Sequence, residues 1–329
     1  MATKKRVVWL DGARALSMLW IVGFWHLQDY LQAKNLFTNG FFQCLTAGAL
    51  ATFACISGLF MPNSMSNARD ILTFYKKRLL RIYPLFFLSC LSLLMIGIIQ
   101  RHGGSFSSIS QFILTITGTV VFFKPLPQTI WYISMMIFFY LLTPLIGLLR
   151  TKKLQLITLT AIYTVIILSY YFLNTDPRLL IFFPMFFLTL VFSKDIKSIY
   201  PEKFSWKILL TSAILSVGTS FLISWQDNYL TQIAAGLCLM PMFLECGKLI
   251  SMPLPKVSLF IAYASMCAYL FHRQIYGMIS HFTGSFHIIT AFLVFLPAVI
   301  FISYGIQFIY DWIIKKMTAR KAPLAHEKP

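Results

Sequence analysis

The sequence predicts an all-α fold, a polytopic integral membrane helical bundle. Two features carry that expectation. Apolar residues make up 58% of the chain and charged residues only 12%, far from the balance of a soluble domain. The apolar residues gather in repeated runs of about 20, the length a helix needs to cross a bilayer. A third feature removes the obvious rival. The net charge of +18 suggests a nucleic-acid partner, yet Lys and Arg cluster in alternate loops, as they do beside membrane spans. Membrane lipid is therefore the expected surrounding, and no nucleic acid is expected.

Taken in order, the first run (VWLDGARALSMLWIVGFWHLQ, 8–28) comes just after Lys4-Lys5-Arg6 and so imitates a secretory signal. It is long, contains Asp11 and Arg14 and leads directly into further spans, so it reads as an uncleaved first helix. The second run covers 40–61. The third, 82–100, follows a basic knot, Lys76-Lys77-Arg78-Leu79-Leu80-Arg81. Seven more runs cover 129–149, 154–173, 179–193, 206–224, 229–247, 257–279 and 288–314. Pro144, Pro184, Pro241 and Pro297 lie within these runs, where membrane helices tolerate proline, and mark expected kinks. A basic tail, 315–329, closes the chain. The loops leave no room for a second domain and no internal repeat is visible, so 1–329 reads as one membrane domain with spans from about 8 to 314.

One short piece, 108–123 (SISQFILTITGTVVFF), decides the topology. If it stays on one side, as a re-entrant or interfacial segment, 22 of the 28 basic residues fall on the cytoplasmic side. Lys34, Arg101, Lys124 and Arg178 then lie outside, and Arg14 and Arg273 lie within spans. If it crosses, the split becomes 10 inside and 16 outside. The positive-inside rule selects about ten spans, with both termini cytoplasmic.

Ionisable groups at membrane depth are costly and tend to mark a pathway, a relay or a reacting centre. With the first helix running outward, Arg14 lies about 10 Å into the span and His26 about 18 Å beyond it. Arg78 and Arg81 lie at the cytoplasmic mouth of the third helix, and His272 and Arg273 in the outer half of the ninth. Cations at one mouth and histidines toward the other side suit a phosphate-bearing donor from the cytoplasm and a hydroxyl acceptor from the opposite side. Arginine grips phosphate through its two-pronged fork, and neutral histidine takes a proton from an attacking hydroxyl. A basic knot is also an ordinary positive-inside anchor, and a histidine beside Trp25 also suits an interface. The six cysteines lie within or at the ends of apolar runs without a C-x-x-C pair, which implies neither a disulfide framework nor a zinc site. His281 and His287 lack a neighbouring carboxylate or thiol, so no metal is expected. Ser57 sits in I-S-G-L rather than in a nucleophile elbow.

Five ordered segments resemble the acyltransferase-3 family of membrane-bound acyltransferases. Asp11-Gly12-Ala13-Arg14-Ala15-Leu16 with His26 resembles its first-helix signature, and Ile56-Ser57-Gly58-Leu59-Phe60 the serine-glycine end of its second helix. Phe74-Tyr75-Lys76-Lys77-Arg78-Leu79-Leu80-Arg81-Ile82-Tyr83-Pro84 is similar to its R-x-x-R block. Trp131-Tyr132-Ile133 through Tyr140-Leu141-Leu142-Thr143-Pro144 and Ser265 through Tyr269-Leu270-Phe271-His272 complete the set. The resemblance implies transfer of an acyl group, usually acetyl, from acyl-coenzyme A to a hydroxyl of a surface saccharide (O-antigen, capsule or lipid-linked glycan) at a bacterial inner membrane. By the same resemblance His26 is the base, Arg14 supports the site, and Arg78 and Arg81, with Lys77 beside them, hold coenzyme A phosphates. His272, Arg273, Asp11, Trp131 and Tyr269 are further candidates. A flippase for a lipid-linked saccharide is the alternative, although no inverted repeat supports it.

The chain departs from the family pattern in three places. Eleven residues rather than ten separate Arg14 from His26, which moves the pair from about 20° to about 120° apart on an ideal helix. Either a π-bulge near Gly23 realigns them, or Arg14 leaves the face of His26. The acidic position after the tryptophan motif is replaced by apolar Met135-Met136-Ile137-Phe138, and the one before the second-helix serine-glycine by Ala51. Asp29 and Asp11 remain as local acidic candidates.

Overall fold

The computed structural model describes residues 7–32, 40–62, 64–100, 106, 108–123, 129–200, 203–222 and 229–319. Lys4-Lys5-Arg6, Lys34, Arg101, Lys124 and the tail from 320 onward, all counted in the charge balance, lie outside the described residues. The described chain is helical. Its one β feature is an isolated bridge between Leu31 and Phe286.

The chain opens with α1 (Val8–Met18), which passes into a π-helical stretch, Leu19–Trp25, and a 3-10 turn, Leu27–Tyr30. There follow α2 (Gly40–Leu59), α3 (Ala68–Gln100), a short α4 (Ile109–Ile116), α5 (Trp131–Gly147), α6 (Lys152–Leu173) and α7 (Arg178–Val191). After these come α8 (Ser193–Ile199), α9 (Trp206–Leu222), α10 (Tyr229–Ser251) and α11 (Pro255–Thr283). A single turn, α12 (Ile288–Thr290), runs through a second π segment, Ala291–Phe295, into α13 (Leu296–Ala319). Each of the ten expected runs coincides with a helix over most of its described length. The basic knot, expected before a span, is itself helical, because α3 starts at Ala68.

Five of these helices are long and apolar enough to cross a membrane, or six if α7 and α8, bent by 76° at their junction, form one broken span. Helix α11 is not among them despite its 29 residues, since its polar side chains lower its hydropathy. These include Ser265, His272, Arg273 and Gln274. Likewise α1 carries Asp11 and Arg14 and ends in a π segment. The helices that hold the polar side chains are thus the least membrane-like by composition. Helix α4 has eight residues, about 12 Å of rise, so it is too short to cross on its own.

Packing separates a centre from a periphery. The apolar window of α2 is 72% buried and that of α6 only 11%, so α2 is a core helix and α6 turns its apolar side chains outward. Phe139 of α5 and Phe183, Phe186 and Phe187 of α7 form an aromatic cluster at the centre, with ring centroids 4.5–5.9 Å apart. Small residues allow a close contact between α1 and α10. A Cβ on Gly12 of α1 would strike the Gly247 carbonyl of α10, and one on Gly247 would strike the Ala13 backbone. Such close approach is how membrane helices gain packing without a hydrophobic drive between them. Gly247→Ala is therefore expected to lower stability by about 1–3 kcal/mol through overpacking, although alanine is the better helix former. Thermal unfolding of the detergent-solubilised protein checks this, and an unchanged or raised melting temperature would contradict it.

Candidate active site

A cavity of about 830 Å³ opens among α1, α2, α3, α5, α11 and α13. Its basic end is built by α3. Lys77, Arg78 and Arg81 line it, and the i, i+3 spacing of the two arginines places them on one helical face. Aromatic rings orient Arg78, whose guanidinium carbon lies 5.6 Å from the Tyr140 ring centre and 5.9 Å from that of Phe74. From α1, Asp11 and Arg14 join the same wall, and Arg14 sits 5.4 Å over the Phe60 ring. From the serine-glycine end of α2 come Ser57 and Phe60.

Deeper in, Tyr132 and Tyr269 line the cavity with Met136 and Ile133. Tyr132 lies eight residues before Tyr140 on α5, about 12 Å along the axis. Its hydroxyl donates to the Leu50 carbonyl (3.0 Å), and that of Tyr269 donates to the Thr129 carbonyl. The two rings meet at 5.8 Å.

Beyond Tyr269 stand the two histidines. His272 is one turn further along α11, its ring 6.1 Å from that of Tyr269, and it is fully buried. His26 stacks on it with ring centres 4.8 Å apart and planes within 5°. Neither histidine lines the cavity itself. The backbone reason for the position of His26 is the π segment. Its N–H donates to the Ile21 carbonyl five residues back, at 2.9 Å. A π-bulge absorbs one extra residue, about 100° of helical phase, which brings the Arg14–His26 offset from about 120° back to about 20°. The longer spacing is thereby compensated in the stretch that contains Gly23.

The acidic candidates divide. Asp29 pairs with Arg273 at 2.9 Å, and Arg273 also donates to the Thr129 hydroxyl. Asp11 lies in the basic-end wall, some 15 residues from His26, about 22 Å of helical rise. Among the described residues no carboxylate pairs with His26. Thr129, which joins Tyr269 to Arg273, holds a φ of 70°. A β-branched residue there stores about 1–3 kcal/mol of strain, offset by the contacts that fix it. Trp131, two residues further on, sits under Arg178 at 4.4 Å and packs on Phe182, away from the cavity lining.

The polar wall built by α11 and α13 was not foreseen. Tyr263 donates to Asp311 (2.6 Å), Gln307 donates to the other carboxylate oxygen (2.9 Å), and all three line the cavity. Asp311 is an ionisable residue near the end of the last apolar run, and that placement was the available signal. Among the described residues no three His, Cys, Asp or Glu side chains converge as a metal site.

Residues 7–310 match the acyltransferase-3 family, described as an acyltransferase domain. The chain belongs to that family. It is an integral membrane acyltransferase, and its cavity and histidine pair are the parts to be read in those terms. No curated protein and no solved structure matches the chain. For an acyltransferase the site has a suitable layout, with a cluster of cations and two tyrosines lining one cavity and the imidazoles next to Tyr269.

Proposed function

We propose that this acyltransferase moves an acetyl group from cytoplasmic acetyl-coenzyme A to a hydroxyl of a cell-surface saccharide. The observation that carries the reading is one continuous cavity with Arg14, Lys77, Arg78 and Arg81 at one end and Tyr269 at the other, beside the His26–His272 stack. A donor fits this layout by its own chemistry. Its phosphates meet the guanidinium forks, and its thin pantetheine arm passes Met136 and Ile133. The thioester then arrives at the tyrosines.

Chemistry follows from the same order. His26 takes the acceptor hydroxyl's proton as the oxygen attacks the thioester carbonyl carbon. The C–O bond forms, the C–S bond breaks, and the thiolate leaves with the proton that His26 carried. Two-sided access implies that the basic mouth faces the cytoplasm, with about ten spans, both termini cytoplasmic and the bacterial inner membrane as the site of action. The short α4 agrees with a non-crossing 108–123 segment. Family membership favours acyl transfer over a flippase.

The test is mass analysis of surface polysaccharide from cells with and without the protein, together with coenzyme A release by their membranes. Added acetyl mass and acetyl-coenzyme A consumption, both dependent on the protein, are expected. Good membrane expression with neither signal would refute the reading.

A further inference from the structure

Pro84, within α3, has no N–H, so the Leu80 carbonyl four residues back lacks its helical donor. Tyr310 of α13 supplies one, its hydroxyl donating to that carbonyl. The bond ties the later part of α13 to the stretch of α3 that carries Arg78 and Arg81. Asp311, the next residue, thus joins a cavity lining that also holds Lys77, Arg78 and Arg81.

A carboxylate among cations that gather phosphates weakens their attraction unless it pairs with them or serves the ligand. None of the ion pairs among the described residues includes Asp311. Neutral donors hold it instead. Tyr263 donates to Oδ2 (2.6 Å) and the Gln307 amide to Oδ1 (2.9 Å). That amide is itself oriented, because the Cys267 thiol donates to its oxygen (3.3 Å). One bond to each carboxylate oxygen leaves each with a second acceptor position. Asp311 is exposed and lines the cavity, so those positions are open to a ligand. Tyr263 and Tyr310 line the same cavity, and the Tyr263 ring packs on that of Tyr304 at 5.1 Å. Aromatic rings therefore stand beside a fixed anionic acceptor.

We infer that Asp311 is a specificity-determining residue that reads the adenine base of the donor. Most polar atoms of the coenzyme A nucleotide only accept hydrogen bonds. Its two donors are the exocyclic amine of adenine and the ribose 2′-hydroxyl. Of these, the amine belongs to an aromatic plane, which suits the tyrosine rings. The amine donates to Asp311, the base lies against the tyrosines, and the phosphates meet the arginines of α3.

The inference rests on acetyl-coenzyme A as the donor, and its test keeps the two separable. Full-length protein in lipid nanodiscs is titrated by calorimetry with coenzyme A, its hypoxanthine analogue and its 2′-deoxy analogue. KM is measured in parallel for the three acetylated donors. Hypoxanthine presents a carbonyl oxygen where adenine presents the amine, so it meets Asp311 lone pair to lone pair. The wild type is expected to bind this analogue about 10–100-fold more weakly than coenzyme A. KM should rise to match, with kcat unchanged and the 2′-deoxy analogue bound like coenzyme A. Asp311→Asn keeps the shape and gains a donor, so the ratio between the two bases should fall to about threefold or less. Taking the ratio cancels the stronger phosphate attraction that loss of the charge gives both donors. A wild type that binds both bases equally overturns the proposal, as does an Asp311→Asn protein that keeps the wild-type ratio. Rejection of the 2′-deoxy analogue with acceptance of hypoxanthine also overturns it, by assigning the carboxylate to the ribose. A wild type that neither binds coenzyme A nor consumes acetyl-coenzyme A would refute the functional reading, and the inference with it.

Discussion

His26→Ala is expected to lower acyl transfer by about 10²–10⁴-fold, the usual contribution of a positioned general base, while the protein still accumulates in the membrane. The expectation rests on what else stands at that end of the site. Asp29 is engaged by Arg273, and Nδ1 of His272 is committed to two backbone carbonyls. Tyr269 directs its hydroxyl at the Thr129 carbonyl. Asp29 and Tyr269 each have a structural duty, and Nε2 of His272, the other imidazole nitrogen at that end, is fully buried behind the His26 ring. The fold should tolerate the change. His26 is half-buried at the end of the π segment, and the bond closing that segment is made by its backbone N–H to Ile21. Glycan mass and thiol release, measured at matched membrane levels of the two proteins, decide the matter. A fully active His26→Ala protein would remove His26 from the mechanism.

The sequence carried the parts of this site that lie close together along the chain. The basic knot and its helical spacing placed Lys77, Arg78 and Arg81 together, and the cavity gathers them with Arg14 and Tyr269. The surplus residue between Arg14 and His26 was legible as a phase error on an ideal helix, and the π segment at Leu19–Trp25 is its physical resolution. The start of α3 was less legible, because hydropathy marks where lipid begins and not where a helix begins. Ala68 through Arg81 is too polar for a span yet helical throughout. Contacts between distant segments could not be read at all. His26 and His272 lie 246 residues apart, and no one-dimensional pattern reports that their rings stack. The same limit hid the pairing of Asp29 with Arg273 and the wall formed by Tyr263, Gln307 and Asp311. Asp11 shows the converse. It shares a helix with His26 and looked available to it, but the rise along that helix carries the two to opposite ends of the site.

Loss of both arginines of the basic mouth is expected to raise KM for acetyl-coenzyme A by at least about 100-fold with little change in kcat. A charge-assisted hydrogen bond contributes about 1.5–3 kcal/mol, and each 1.4 kcal/mol is about tenfold in affinity, so two lost phosphate contacts reach that range together. The two positions should differ in one respect. Arg78 is half-buried against Phe74 and Tyr140, so Arg78→Ala also removes packing and lowers thermal stability. Arg81 is exposed at the mouth, so Arg81→Ala should act on KM alone. Arg78→Lys keeps the charge but loses the planar fork and its fit to the rings, and an intermediate KM follows. Acetyl-pantetheine, which has the thioester and the arm but no nucleotide phosphates, separates recognition from general damage. If the arginines hold phosphate, the wild type and Arg78→Ala/Arg81→Ala should use this donor equally poorly, so the 100-fold gap seen with acetyl-coenzyme A closes. A gap that persists with acetyl-pantetheine would mean that the arginines shape the cavity and do not bind the donor's phosphates.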